Sequence, residues 1–298
     1  MQTVWTILAL IRWADERFRK EGMTTPRLDA EVLLAEALGL DRVGLYTHFD
    51  QPLQPGELAS FKKLIQRRLR REPVAYILGR REFWSLPFQV TPHVLIPRPE
   101  TETLVAEALK VLGPSQGNDL CLLDIGTGSG AIGIALLKEL PAAKVVATDL
   151  SPKALAVADE NALKNGVRER IRFLQGDLFQ PLSKGETFDL IVTNPPYIAR
   201  GDFPSLMPEV RDHEPRAALD GGKDGLAFFR RALPRVGEYL RPGGRFLAEI
   251  GAGQDPKVLA IAEKNPGLDS FAFAKDLSGI NRVVKARRKI SLETDEHR

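Results

Sequence analysis

Four consecutive residues, Asn194-Pro195-Pro196-Tyr197, place an amide side chain, two prolines and a phenol ring in one short stretch. They follow Phe188-Asp189-Leu190-Ile191-Val192-Thr193, an apolar run that reads as a buried strand. Successive prolines stop the strand, because neither ring nitrogen can donate to a sheet ladder and each ring fixes φ. The proline after Asn194 also biases that residue toward an extended backbone. A stiff loop at a strand's carboxyl end therefore presents an amide oxygen, proline carbonyls with no competing local donor, and one ring. Two acceptors and a ring face suit a planar group that carries NH2. Four residues alone do not separate this reading from an ordinary proline-stiffened turn, so the rest of the chain has to decide.

A second cluster lies upstream. Asp124-Ile125-Gly126-Thr127-Gly128-Ser129-Gly130 sits between a strand and a helix, and its glycines permit a tight turn and close approach of a ligand. Gly128-Ser129-Gly130-Ala131-Ile132-Gly133 also matches the dinucleotide pattern, with Asp149 about the right distance downstream to hold a ribose. Asp124 favours another ligand. A carboxylate two residues before the first glycine would face a pyrophosphate, and like charges at close range in a cleft of reduced dielectric are unfavourable. S-adenosylmethionine has no phosphate and carries an ammonium and a sulfonium. Asp124 beside the ammonium, Asp149 on the ribose hydroxyls and Asp177 near the adenine edge form a consistent set. Each falls at the carboxyl end of a successive strand, where ligands of parallel sheets bind.

The elements that would position these residues alternate from Leu120 onward. Strands are predicted over 120–124, 144–149, 171–175 and 188–193, with helices over 129–140 and 152–165. A helix over 225–240, a strand over 244–250, a helix near 255–264 and closing strands near 270–275 and 282–286 follow. Such alternation means an α/β fold with a mostly parallel sheet and helices on both faces.

The first 72 residues read differently, as a small helical bundle. Val4, Ile7, Leu8, Ile11 and Phe18 fall on one helical face, and Gly22 ends that helix. Thr25-Pro26 is a cap and first-position pair for a second helix through Leu38, which Gly39 terminates. A short third helix is expected near 41–49 and a fourth over 55–71, with Leu58, Phe61, Ile65 and Leu69 on its apolar face. The fourth helix ends in a basic cluster of Lys62, Lys63, Arg67, Arg68, Arg70 and Arg71, with Arg80 and Arg81 just beyond. The plain reading is a solvated face; the alternative is a docking surface for an acidic partner or RNA. Residues 73–99 form a linker with a hairpin over 83–91, where Leu86, Phe88 and Val90 alternate. Leu95-Ile96-Pro97-Arg98-Pro99-Glu100-Thr101-Glu102 then stiffens the crossing, and Thr101 or Glu100 is placed to cap a helix to about residue 112. The tail, 289–298, is expected to be disordered.

Composition agrees with two domains of an ordinary globular protein: 298 residues, 43% hydrophobic and 27% charged. A net charge of +3 does not demand a nucleic-acid partner. Cys121 is the single cysteine, which excludes a disulfide framework or zinc cluster. His48, His93, His213 and His297 lack metal-ligand spacing, so no metal is expected. The early apolar run Ile7-Leu8-Ala9-Leu10-Ile11 is too short to span a bilayer and lacks a basic segment before it, so neither a membrane anchor nor a signal peptide is expected. The expected compartment is the cytoplasm.

Taken together, the glycine loop, Thr148-Asp149-Leu150-Ser151-Pro152-Lys153-Ala154-Leu155, Gly176-Asp177 and Asn194-Pro195-Pro196-Tyr197 resemble class I methyltransferases acting on planar nitrogen. More narrowly, the chain is similar to the glutamine methyltransferases of peptide-chain release factors. The helical N-terminal region, Pro73-Val74-Ala75-Tyr76-Ile77-Leu78-Gly79, the proline-arginine-proline linker, Glu214-Pro215, Asp220-Gly221-Gly222-Lys223-Asp224-Gly225-Leu226 and Asp276-Leu277-Ser278-Gly279-Ile280-Asn281-Arg282 carry that likeness over nearly the whole chain.

The resemblance implies a Rossmann-like methyltransferase domain over 100–288, with a seven-stranded sheet, behind a substrate-docking helical domain over 1–72. It implies S-adenosylmethionine as cofactor, held by Asp124, Gly126, Thr127, Gly128, Ser129, Gly130, Asp149, Asp177, Leu178 and Asn194. Leu178 stands where some members carry an aromatic residue, which leaves apolar contact in place of ring stacking. The implied substrate is the glutamine of the Gly-Gly-Gln tripeptide of a release factor, methylated on its side-chain nitrogen. Asn194, Pro195, Pro196 and Tyr197 would hold it, with Arg98 and Glu100 on the cleft wall. Asn194, Pro195 and Tyr197 are the catalytic candidates. The Asn194 side-chain oxygen and the Pro195 carbonyl would accept the two N–H bonds and stabilise positive charge developing on the nitrogen. Tyr197 would lie against the amide face. Competing readings are a methyltransferase for an exocyclic amino group of DNA or RNA, one for a ribosomal-protein glutamine, and a non-enzymatic RNA- or ribosome-binding module.

Overall fold

A computed structural model describes residues 5–113 and 119–290 of the chain. They group into two compact units, Met1–Gly79 with Met207–His213 and Arg80–Leu206 with Glu214–Arg298.

The first unit is helical: α1 (Ile7–Lys20), α2 (Pro26–Leu38), α3 (Arg42–Thr47), α4 (Pro55–Leu69) and α5 (Val74–Leu78). Ile7, Leu10, Ile11, Ala14 and Phe18 recur at three-to-four spacing on α1 and are buried with Leu33, Leu34, Phe61 and Ile65. Val4, expected on the same face, lies outside the described residues. Gly39 ends α2 in the left-handed conformation. Thr25 and Pro26 take the N-cap and first helical positions as expected, but the Thr25 side chain makes no capping bond; its hydroxyl donates to Asp29 Oδ1 at 2.8 Å. The unit continues past residue 72, because Pro73 opens the short helix α5, whose Ile77 joins the helical core, and Gly79 closes it.

Three arginines of the basic cluster are internal ties and not a free face. Arg67 Nε donates to Glu72 at 2.8 Å. Arg68 is 4% exposed and bridges Asp29 Oδ2 at 2.7 Å and Glu209 Oε1 at 2.8 Å. Arg71 meets the other Glu209 oxygen at 2.8 Å. Lys62, Lys63, Arg70 and Arg81 are exposed.

The second unit begins with a hairpin, β1 (Arg80–Phe83) and β2 (Leu86–Gln89). Its two-residue turn is Trp84-Ser85, both at positive φ (53° and 54°), so the strands straddle that point and the hairpin starts upstream of the predicted 83–91. Next come α6 (Glu102–Leu112), β3 (Cys121–Ile125), α7 (Ala131–Glu139), β4 (Lys144–Asp149), α8 (Pro152–Lys164), β5 (Ile171–Gln175) and β6 (Phe188–Thr193). After them α9 (Pro208–Arg211) lies in the segment belonging to the helical unit. Then α10 (Ala227–Tyr239), β7 (Leu240–Glu249), α11 (Asp255–Ala262), β8 (Leu268–Lys275) and β9 (Asn281–Arg288) return to the α/β unit.

Seven strands form one sheet in the order β5-β4-β3-β6-β7-β9-β8, parallel from β5 to β7 and antiparallel at β9 and β8. Neighbouring residues face opposite sides, as the pleat requires. Leu122, Leu190, Val192 and Leu247 pack beneath α6 and α7. Leu123, Ile191, Phe246 and Ala248 pack against the Phe229 and Leu233 face of α10. Helices thus cover both faces of the sheet. β7 starts four residues before the predicted strand and is irregular there, with a register shift between Phe188 and Leu190 of its partner. Of the tail expected to be disordered, residues 291–298 lie outside the described residues.

Candidate active site

The strand order reverses between β3 and β6, so their carboxyl ends flank the topological switch point where such sheets bind ligands. Ile125 pairs with Thr148 on one side and Thr193 on the other, and Thr193 pairs with Ala248. Gly126, Asp149, Asn194 and Glu249 follow these positions directly and share one end of the sheet.

The glycine loop is pinned from below. The Gly126 and Thr127 N–H groups both donate to the Thr148 carbonyl, at 2.8 and 3.0 Å. Gly126 and Gly128 take positive φ (69° and 55°), and a Cβ at either would meet nothing within 4 Å, so the loop surface stays bare backbone. Asp149 braces it, with Oδ2 accepting from the Gly128 N–H and Oδ1 from the Ser151 N–H, each at 2.9 Å. Burial raises the Asp149 pKa against these two hydrogen bonds.

Asp124 is 0% exposed, beneath the loop. Its Oδ2 accepts from Thr127 Oγ1 at 2.7 Å and from the Gly133 N–H at 3.2 Å. Its Oδ1 is buried with no partner among the described residues. Burial pushes this carboxyl up to about 6, opposed by Thr127 and Gly133 and reinforced by Asp149. An orphaned carboxylate oxygen below a bare glycine loop fits a cationic ligand and not a phosphate. The residues present therefore fit S-adenosylmethionine, with its ammonium and sulfonium.

On the other side of β3, the Pro195 ring is buried and Asn194 half-buried. Asn194 Nδ2 donates to Thr101 Oγ1 at 3.0 Å, and Thr101 Oγ1 donates to Glu249 Oε2 at 2.6 Å. The other Glu249 oxygen accepts from the Tyr197 hydroxyl at 3.2 Å. Among the described residues none donates to Asn194 Oδ1 or to the Pro195 carbonyl. Glu249 is 1% exposed; burial raises its pKa against Thr101, the nearby Arg282 and Tyr197. Burial first, and then the Glu249 charge, push the Tyr197 phenol upward, so it stays protonated and donates.

The loop is held from behind as well. Gln254 Nε2 donates to the Tyr197 carbonyl at 2.9 Å, while Gln254 Oε1 accepts from the Gly251 N–H. Ile198 exchanges backbone bonds with Leu219 and Gly221 at 3.0 and 2.8 Å. A Cβ on Gly225 would lie 2.3 Å from the Tyr197 carbonyl oxygen, and one on Gly221 2.8 Å from the Tyr197 carbonyl carbon. These glycines let the chain pass directly behind the loop.

The remaining candidates are placed as follows. Ser129 and Gly130 are buried where the loop enters α7, and the Ser129 carbonyl accepts from Asn161 Nδ2 at 2.9 Å. Asn161 also pairs with both backbone groups of Gln89, tying the hairpin to the loop. Asp177 is engaged by Arg231 of α10. Leu178 sits at φ 51°, a left-handed conformation that costs a leucine on the order of 1 kcal/mol and collects at functional loops. Arg98 pairs with Glu214, which is buried and also accepts from the Ile96 N–H at 3.3 Å. Burial raises the Glu214 pKa against Arg98. Glu100 is exposed. Glu249, Asn161 and Gln254 escaped the sequence reading. Glu249 alone left a trace, as one carboxylate inside the apolar run Phe246-Leu247-Ala248-Glu249-Ile250.

Known families match both units. The PrmC N-terminal domain matches residues 9–79 and the Methyltransferase small domain matches residues 102–210. A release factor glutamine methyltransferase of Geobacter sulfurreducens is 49% identical over 284 residues, covering 95% of this chain and 97% of that protein. The chain belongs to the release factor glutamine methyltransferase family. The family member from Rhodopirellula baltica is 41% identical and covers 96% of this chain and 97% of its own. A methyltransferase structure from Pyrococcus furiosus, 19% identical, covers 76% of this chain and 99% of its own with a TM-score of 0.54, which bears on the fold alone. Membership makes the chain an S-adenosylmethionine-dependent methyltransferase of class I architecture. No helix among the described residues is long and apolar enough to cross a membrane.

Proposed function

We propose that this enzyme methylates the side-chain amide nitrogen of the glutamine in the Gly-Gly-Gln tripeptide of a peptide-chain release factor, in the cytoplasm. One observation carries the reading. Asn194 donates from its NH2 to Thr101, while Oδ1 and the carbonyl of the next residue, Pro195, meet no donor among the described residues. An amide NH2 offers two donors and matches that pair.

When bound, S-adenosylmethionine supplies an electrophilic methyl group. The chain's own residues do the rest. Gly126, Thr127, Gly128, Ser129 and Gly130 give the cofactor a bare backbone surface, Asp149 takes its ribose hydroxyls, and Asp124 balances its positive charge from beneath. Asp177 and Leu178 form the adenine edge. Asn194 Oδ1 and the Pro195 carbonyl fix the acceptor nitrogen and stabilise charge growing on it, with no base needed before transfer. Pro196 stiffens the loop and the Tyr197 ring lies against the flat amide. Arg98, held by Glu214, and exposed Glu100 form the wall toward the protein substrate.

The test is mass spectrometry of separate release-factor, ribosomal-protein and nucleic-acid acceptors after incubation with the enzyme. Methyl on the tripeptide glutamine is expected, and Asn194→Ala should lower kcat by about 10²-fold while cofactor affinity changes little. Methyl on nucleic acid or a ribosomal protein, with the tripeptide untouched, would overturn the substrate and leave the methyltransferase assignment standing.

A further inference from the structure

The proposed function needs Asn194 to present its oxygen, and not its NH2, to the acceptor. The two ends of an amide are nearly the same shape, so packing alone does not choose between them. The choice is made behind Asn194.

Thr101 is 4% exposed and starts α6, yet its side chain makes no capping bond to that helix. Its single hydroxyl proton goes to Glu249 Oε2 at 2.6 Å. Thr101 gives that proton to Glu249, so it has only lone pairs left for Asn194. Those lone pairs take the Asn194 NH2 at 3.0 Å. Tyr197 donates to the second Glu249 oxygen at 3.2 Å, so the same carboxylate fixes the phenol end of the ring. Glu249 lies at the end of β7 and Thr101 just beyond the proline-arginine-proline stretch, while Asn194 follows β6. Three separate elements thus meet in one hydrogen-bonded chain.

The geometry points to Thr101 and Glu249 as positioning residues for methyl transfer: the carboxylate sets the direction of the Thr101 hydroxyl, and the hydroxyl turns the Asn194 oxygen toward the acceptor. The inference rests on the proposed reading for the meaning of that orientation, but the orientation itself can be measured without any substrate.

Thr101→Val keeps the shape and removes the relay. Expected are a kcat lower by about 10- to 100-fold, with KM for release factor and cofactor affinity nearly unchanged. Thr101→Ser, which restores the hydroxyl, should stay within about threefold of wild type. In an Asn194→Ala background Thr101→Val should add almost nothing, because partners acting through one group are non-additive. Glu249→Gln is the second variant, since a neutral amide no longer compels the hydroxyl to donate; a smaller fall in kcat is expected. Hydrogen exchange of the Asn194 side-chain NH2, followed by NMR, should be slow in wild type and Thr101→Ser and faster in Thr101→Val and Glu249→Gln. Unchanged exchange in both of those variants would overturn the inference whatever the acceptor proves to be. An equal kcat loss with and without Asn194 would overturn it too. Wild type that leaves the tripeptide glutamine unmethylated while the exchange pattern holds would sink the substrate and support the relay.

Discussion

Asp124 and Asp149 end adjacent strands, yet burial treats them differently. Asp149 is half-buried and holds two backbone N–H groups, so a ribose can still share its oxygens. Its replacement by alanine should weaken cofactor binding by about 1.5–3 kcal/mol, the worth of a hydrogen bond to a charged group. Calorimetric titration measures this, and an unchanged affinity would remove Asp149 from the site. Asp124 is sealed, and its pKa stands at about 6 against an ordinary 3.8. Between those two values the folded protein holds a proton that the unfolded chain has already lost. Stability from this group is therefore fully present at low pH and declines as pH rises from 3.8 to about 6, by about 3 kcal/mol in all. Asp124→Asn keeps an oxygen for Thr127 and Gly133 and cannot titrate. Urea midpoints of that variant, measured without cofactor from pH 4 to 7, should lose most of the wild-type decline; an identical slope would locate the titration elsewhere.

At the scale of elements, β4 and β6 were legible to the residue because each apolar run is bounded by its own stop signals: Asp149 before the Ser151-Pro152 cap, and Thr193 before Asn194-Pro195. β7 was misread at its start because Pro242-Gly243-Gly244 looks like a turn, whereas the strand runs through it irregularly. Helix α5 is short and follows Pro73, which has the look of linker punctuation but is its N-cap. The Asn194–Tyr197 loop and the glycine loop stand out by residue type alone. Their supports do not, since Thr101, Glu249 and Gln254 come from distant parts of the chain and only the fold brings them together. Gly225 shows how tight that support is. Gly225→Ala puts a Cβ 2.3 Å from the Tyr197 carbonyl oxygen at φ 78°. It should lower kcat by about tenfold or more through displacement of the loop, with cofactor affinity retained. On α4 the basic residues now divide. Glu substitution of exposed Lys62 and Lys63 should act on KM for release factor, and more strongly at low salt. Arg68→Ala should instead destabilise the helical unit by about 3–5 kcal/mol, because it leaves Asp29 buried beside a missing guanidinium, while Glu209 keeps only Arg71. Steady-state kinetics and urea denaturation separate the two outcomes.

For the whole molecule, the chain passes between its two units three times, at Gly79–Arg80 and again on either side of Met207–His213. The second excursion leaves from just after the acceptor loop and returns at Glu214, the partner of Arg98. A fragment beginning at Arg80 should bind S-adenosylmethionine but methylate intact release factor poorly, because it lacks α1–α5. Wild-type rates from that fragment would show that the helical unit takes no part in docking. The excursion also has a consequence in time. Arg68 and Glu209 are 141 residues apart, and a ribosome adds roughly 5–20 residues each second. For about 7–28 s after Arg68 is made, the nascent helices therefore hold it with Asp29 and the Glu72 carbonyl but without Glu209. Vectorial synthesis thus leaves the first unit unfinished until much of the second has been translated. Chains stalled on the ribosome near residue 150 should lose α1–α5 to protease faster than chains stalled beyond residue 260; equal protection would mean that the early helices complete themselves.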